Sequence, residues 1–164
     1  MRVNLEEDEH IIATLPKIWG IALGLMGFFN KSKEGILVLT NKNIMFIPQY
    51  LYVSPKEREK YFGGAKAKVT QLVGYSETQL DEDISEKPKS WIIPLKSVID
   101  VESVRMRKVN FLRLKFSNSG KKKAYDFVIA KSVTNYPQRQ PLIFSDLDWG
   151  AWIDLIRSYL KNPL

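Results

Sequence analysis

The stretch Gly35–Ile47, GILVLTNKNIMFI, restricts what this chain can fold into more than any other. Two apolar runs, Ile36–Leu39 and Ile44–Ile47, flank the polar tetrad Thr40-Asn41-Lys42-Asn43. Branched side chains favour extended backbone, and a short polar break with two asparagines tolerates the positive φ of a tight turn. The stretch therefore predicts a β-hairpin. Side chains alternate along a strand, so Leu37 and Leu39 share a face with Ile44 and Phe46. That face demands a core, which the remaining segments must supply.

Other stretches read as strands on the same grounds. His10–Leu15 predicts a first strand stopped by Pro16, and Trp91–Leu95 resumes the sheet after the hairpin. Val98–Arg107, Phe111–Phe116 and Ala124–Ile129 add three more, with Asn118-Ser119-Gly120 as the turn between the last two. Along Phe111–Phe116, Leu112, Leu114 and Phe116 fall on one face while Arg113 and Lys115 fall on the other. Arg105 and Arg107 are expected to join that outer face, with Lys121, Lys122 and Lys123 at the far turn. At the C-terminus Ser145 is expected to cap a helix from Asp146 to Lys161. Trp149, Trp152, Ile153, Ile156, Tyr159 and Leu160 form its apolar stripe.

Between the third and fourth strands lies an insertion, residues 49–90. Ser54-Pro55-Lys56-Glu57 carries a capping-box signature with proline at the first helical position, and Gly63-Gly64 ends the run, predicting a helix over Pro55–Phe62. Ala65–Val73 fits a second helix or a strand. Asp81-Glu82-Asp83 with Glu86 lacks the glycine and the terminal glutamate of a calcium loop, and reads as a solvated acidic loop. Glu6–Glu9 reads as a solvated acidic cap, and Lys131–Pro141 as a loop. Seven strands and a closing amphipathic helix give a mainly β, α+β fold over a single domain, residues 1–164.

Catalytic chemistry is poorly provided for. With one histidine and no cysteine, the chain lacks the means for thiolate chemistry, a multi-histidine metal centre or a histidine-based triad. Gly20, Gly24 and Gly27 lie among apolar residues, without the Lys-Ser/Thr ending of a phosphate loop. The expectation is a binding protein with no catalytic residue, no cofactor and no metal. The formal charge is +7, and between Ser103 and Ser145 ten lysines and arginines face one acid, Asp126. Such a balance favours an anionic partner. The first ten residues, MRVNLEEDEH, are acidic where a secretion signal is basic and then apolar. The longest apolar run, Ile18–Phe29, spans twelve residues, short of the roughly 20 that cross a bilayer. A cytoplasmic location is expected.

The motif of glycine, apolar strand, Leu-Thr-Asn-Lys and apolar strand with phenylalanine resembles the GRAM branch of the pleckstrin-homology-like superfold. Here Gly35, Leu37, Leu39, Thr40, Asn41, Lys42, Ile44 and Phe46 carry it, and Trp91–Leu95 and the closing helix continue it. The resemblance implies a partly open seven-stranded antiparallel barrel capped by the C-terminal helix. It also places Ile18–Phe29 in the connection between the first two strands, at the open mouth. An apolar, aromatic segment abutting lysines suits peripheral contact with an anionic membrane surface. Lys17, Trp19, Leu25, Met26, Phe28, Phe29, Lys31 and Lys33 are the contact candidates, and the outer-face cations Arg105, Arg107, Arg113, Lys115 and Lys121–Lys123 are the basic candidates. The second strand lacks the alternating basic pair of inositol-phosphate-binding relatives. In the competing reading, the same segment packs as core or against a protein partner or a second copy. Nucleic-acid binding requires exposed aromatics interleaved with the charges, which the basic strands lack.

Overall fold

A computed structural model describes residues 2–23, 33–134 and 140–161. Its centre is one antiparallel, unclosed sheet of eight strands. In chain order these are β1 (Ile11–Ala22), β2 (Lys33–Thr40), β3 (Asn43–Pro48), β4 (Trp91–Pro94), β5 (Val98–Met106), β6 (Val109–Asn118), β7 (Lys121–Thr134) and β8 (Gln140–Ser145). Helices α1 (Pro55–Phe62) and α2 (Glu77–Glu86) fall between β3 and β4, and α3 (Gly150–Lys161) follows β8. The spatial order is β4-β3-β2-β1-β7-β6-β5. Ile129 of β7 pairs with both Ile18 of β1 and Ser145 of β8. Strand β8 therefore lies on the edge of β7 that β6 occupies further along.

The predicted hairpin is β2 and β3, with Leu39 opposite Ile44 and Leu37 opposite Phe46. Those four residues enter the main core beside Leu112, Leu114, Phe116, Trp149, Trp152, Ile153 and Ile156. The stripe of α3 is thus buried as its spacing requires, and each of its two indoles donates a hydrogen bond to a carbonyl. Trp149 Nε1 reaches Asn110 O and Trp152 Nε1 reaches Lys68 O, both at 3.0 Å. The helix itself begins at Gly150, whose N–H is capped by the Asp148 carboxylate at 2.8 Å rather than by Ser145.

The hairpin's other face is equally dry. Ile36, Val38, Met45 and Ile47 form a second core with Leu5, Ile11, Leu80 and Ile84. Unbroken apolar strands are those covered on both sides, and the cover here is α2. The stretch expected to be a solvated acidic loop is this helix. The Ser76 hydroxyl caps it by accepting from the Gln79 N–H at 3.2 Å. Asp81 and Asp83 are 6% and 2% exposed. Asp81 accepts from the backbone N–H groups of Val3, Asn4 and Leu5 at 2.8–2.9 Å, clasping the N-terminal segment to the helix. Asp83 accepts from Tyr75 Oη and Gln79 Nε2 and pairs with Lys87. The acidic cap is likewise only partly solvated. Glu9 is buried and accepts from Thr40 Oγ1 and Asn43 Nδ2.

Two further expectations change. Strand β1 does not stop at Pro16 but continues to Ala22. Its register against β2 runs from Leu15↔Leu37 to Ile18↔Gly35, so one residue is bulged out across Pro16-Lys17. A bulge absorbs the missing proline N–H and lets pairing resume. The stretch 131–141 is not wholly loop, because β7 extends to Thr134 and β8 starts at Gln140. The helix over Pro55–Phe62 and the turn at Ser119-Gly120, both at positive φ, are as expected. Residues 66–73, open between helix and strand, form neither, apart from a single bridge between Lys66 and Asp148.

Candidate functional site

Alternation along the strands decides where the charges go. Strand β6 presents Arg113 and Lys115 on the outer face, opposite the core residues Leu112, Leu114 and Phe116. Arg113 donates through Nε and Nη2 to both carboxylate oxygens of Asp126 at 2.8 and 2.9 Å. This bidentate bond holds its guanidinium further toward the charged form than usual. Lys115 pairs with Glu102 of β5 at 2.8 Å. Glu102 lies opposite Arg113 in the β5–β6 ladder, so Arg105, three residues on, points to the other side. There it meets Asp146 at 3.3 Å. Arg107 does not join the outer face either. With Lys108 it forms the β5–β6 turn, both residues at positive φ, about 30 Å from the β6–β7 turn across the length of β6. The basic face read from the sequence therefore divides in two.

The larger part gathers where β1 ends. Ala22 pairs with Tyr125, and the Leu23 N–H donates to Ala124 O at 3.0 Å. Leu23, Ile99 and Ala124 together with Arg113, Lys115, Lys122 and Lys123 line an open cleft of about 560 Å³. Ile99 is 51% exposed among these cations. The same end of the sheet carries Lys33, paired with Gly20. Partial burial and the neighbouring Lys89 hold its ammonium below the usual lysine value. Trp91 stacks on Tyr125 at 3.9 Å between ring centroids, backed by Phe46 and Phe127. Gly20 admits this stack, since a Cβ there would lie 2.9 Å from Trp91 Cζ3.

At the β2–β3 turn, Lys42 is engaged by Glu6 and Asp8.

The membrane candidates separate accordingly. Trp19 is not at the surface: it is 1% exposed, packed on the outer face of β1 with Phe111, Val128 and Ala130. It belongs to the strand because β1 runs on past Pro16. Lys17 sits in the bulge, its ammonium 5.1 Å from the ring centre of Tyr50, and so does not flank the connection. Lys33 does. Leu25, Met26, Phe28, Phe29 and Lys31 lie outside the described residues. Sequence reasoning missed Leu23, Lys89, Ile99 and the Trp91–Tyr125 stack as companions of the lysines, because only strand register brings them together. Among the described residues, no helix is long and apolar enough to cross a membrane. Comparison with family models, curated proteins and solved structures finds no match for this chain.

Proposed function

We propose that the protein is a non-catalytic, pleckstrin-homology-like binding module of the GRAM type that associates peripherally with anionic membrane. One observation carries the reading. Both anchors of the β1–β2 connection, Leu23 and Lys33, sit at the end of the sheet where Lys89, Arg113, Lys115, Lys122 and Lys123 also lie. By sequence the connection, residues 24–32, is GLMGFFNKS. Its apolar groups suit the headgroup boundary, and each lysine near an anionic surface contributes about 1 kcal/mol. The strand order, the unclosed sheet and the terminal helix support the superfold. Strand β8 and the two-helix insertion are additions to the seven-strand plan.

The test is co-sedimentation with vesicles containing phosphatidylserine at increasing salt. Binding should weaken as salt screens the exposed cations, and replacing Phe28 and Phe29 by serine should weaken it without lowering thermal stability. Trp91, half-buried at the site, is the fluorescent reporter, since Trp19 is already enclosed. Binding that ignores both salt and the serine variant would refute the reading.

A protein-docking role has an observation of its own. Leu142 and Ile143 on β8 are 64% and 57% exposed side by side. A molar mass that rises with concentration in light scattering, and falls back for Leu142→Ser, would favour that role.

A further inference from the structure

Strand β8 is a sheet edge with a groove beside it. Its one ladder partner among the described residues is β7, so half of its backbone N–H and C=O groups point away from the sheet with no strand to receive them. Pro141 withholds one N–H near the start, and the ladder bulges at Leu142, where Ser132↔Ile143 passes to Val133↔Pro141. A bulge re-aims side chains, and here Leu142 and Ile143, neighbours in sequence, both stand exposed. Beside Ile143, α1 and the β5–β6 turn border an open groove of about 600 Å³. Its floor is apolar: Phe62, Val109, Ile129 and Leu147. Three cations reach it, Arg58 of α1, Lys108 of the turn and Lys131 of β7, and none has an ion-pair partner among the described residues. Two acids also line it. Asp146 is already taken by Arg105 and the Asn110 N–H, and Glu59 has the Lys68 ammonium on its backbone carbonyl at 3.3 Å. An excess of positive charge around an apolar floor is complementary to carboxylates flanking an aliphatic side chain.

We propose that this groove and the β8 edge together bind an extended acidic segment of a partner protein, which adds to the sheet as a further strand. Such a strand continues the row of β5, as β8 continues the row of β6. Side chains alternate along it, so an aliphatic residue and the carboxylates two positions to either side all face the groove. The main-chain bonds supply affinity, and the side-chain contacts supply selectivity. The chain's own acidic stretches do not suit the role from a second copy. Glu6–Glu9 is fastened by Lys42, Thr40 and Asn43, and Asp81–Glu86 is helical. The groove also lies at the end of β7 remote from Ala22 and the β1–β2 connection, which leaves that end free while a partner is held. The proposal is independent of the membrane reading and rests on the docking role drawn from Leu142 and Ile143, to which it gives an occupant.

The probe is the peptide acetyl-Thr-Glu-Thr-Ile-Thr-Glu-Thr, whose acids share a strand face with the isoleucine. The control, acetyl-Thr-Thr-Glu-Ile-Glu-Thr-Thr, has the same composition with the acids on the opposite face. Titrated into the whole protein by NMR, the probe should shift the Phe62, Lys131, Ile143 and Phe144 amides and bind at least about fivefold more tightly than the control. The exposed double variant Lys108→Gln/Lys131→Gln should bind it about fivefold more weakly, and unchanged melting of the variant separates loss of the site from loss of fold. No shifts along β8, an affinity that the double variant leaves unchanged, or equal binding of the two peptides overturns the proposal. A molar mass that rises with concentration while the probe does not bind assigns the groove to a second copy, which overturns the acidic segment and keeps the docking role. Capture by phosphatidylserine vesicles that the double variant abolishes, with the probe ignored, gives these cations to a membrane and likewise overturns it. Probe binding at constant molar mass with no vesicle capture upholds the groove and ends the membrane reading alone.

Discussion

Truncating Leu80 to alanine tests whether the insertion belongs to the domain or merely hangs from it. Leu80 is fully buried in α2, against Ile36, Val38, Met45 and Ile47 of the hairpin's outer face. Removing a buried leucine's outer carbons loses their transfer energy and leaves a cavity, typically 2–5 kcal/mol. Strands β2 and β3 are fixed on their other face by the main core, so little collapse is available, and about 3 kcal/mol is expected. For a chain of this length that corresponds to a fall in Tm of about 6–12 °C. Urea unfolding followed by tryptophan fluorescence is the assay. The second core contains no tryptophan, so a shifted midpoint at unchanged slope reports global unfolding. Glu82→Ala, on the exposed side of the same helix, should stay within about 0.5 kcal/mol. A loss below about 1 kcal/mol for Leu80→Ala, or melting of α2 with the tryptophan signal intact, would refute the two-sided sheet.

Gly20→Ala should cost about 1–3 kcal/mol by overpacking, because the new methyl meets Trp91 and Phe46; a blue- or red-shifted Trp91 emission would locate the strain. Burial alone pushes the Asp81 carboxyl up, but its three backbone donors outweigh burial and hold it below its ordinary value of 3.8. A lowered folded-state value means this contribution is complete above about pH 4 and lost as pH falls through the folded value. The protection of amides 3–5 relative to their unfolded exchange rates should therefore fall below pH 4, and Asp81→Asn should show the lower protection already at pH 7. Recasting Arg107-Lys108 as Asn-Gly relieves two residues at positive φ and should raise stability by about 1 kcal/mol in the same urea assay. Unchanged or lower stability would mean that the two side chains hold the turn.

Much of the fold was legible because it is written in local periodicity. The hairpin, the stripe of α3, the capped α1 and the alternation of β6 all follow from spacing alone. Pro16 looks like a terminator, so the sequence alone ends β1 at Leu15, whereas a bulge carries the strand past it. Helix α2 was missed although Ser76 and Gln79 have capping-box spacing, since a run of acids reads as solvated unless a partner such as the backbone of residues 3–5 is known. The site was half legible. The types of its cations were visible, but whether each cation has an acid opposite it depends on cross-strand register. That register neutralises Arg113 and Lys115, turns Arg105 to Asp146, and brings Leu23 and Ile99 beside Lys122 and Lys123.

Strand β7 hydrogen-bonds to β1, β6 and β8, and through it the first and last parts of the chain meet. During synthesis Ile18–Ala22 can pair with β2 soon after they emerge, yet their second edge stays bare until residues 125–129 have been made. Closure across more than a hundred residues is entropically slow, placing folding toward the millisecond-to-second range of sheet proteins. Until it completes, the nascent β1–β2–β3 ribbon offers an apolar open edge to its neighbours on the ribosome. Fragments ending before β7 should therefore aggregate rather than fold.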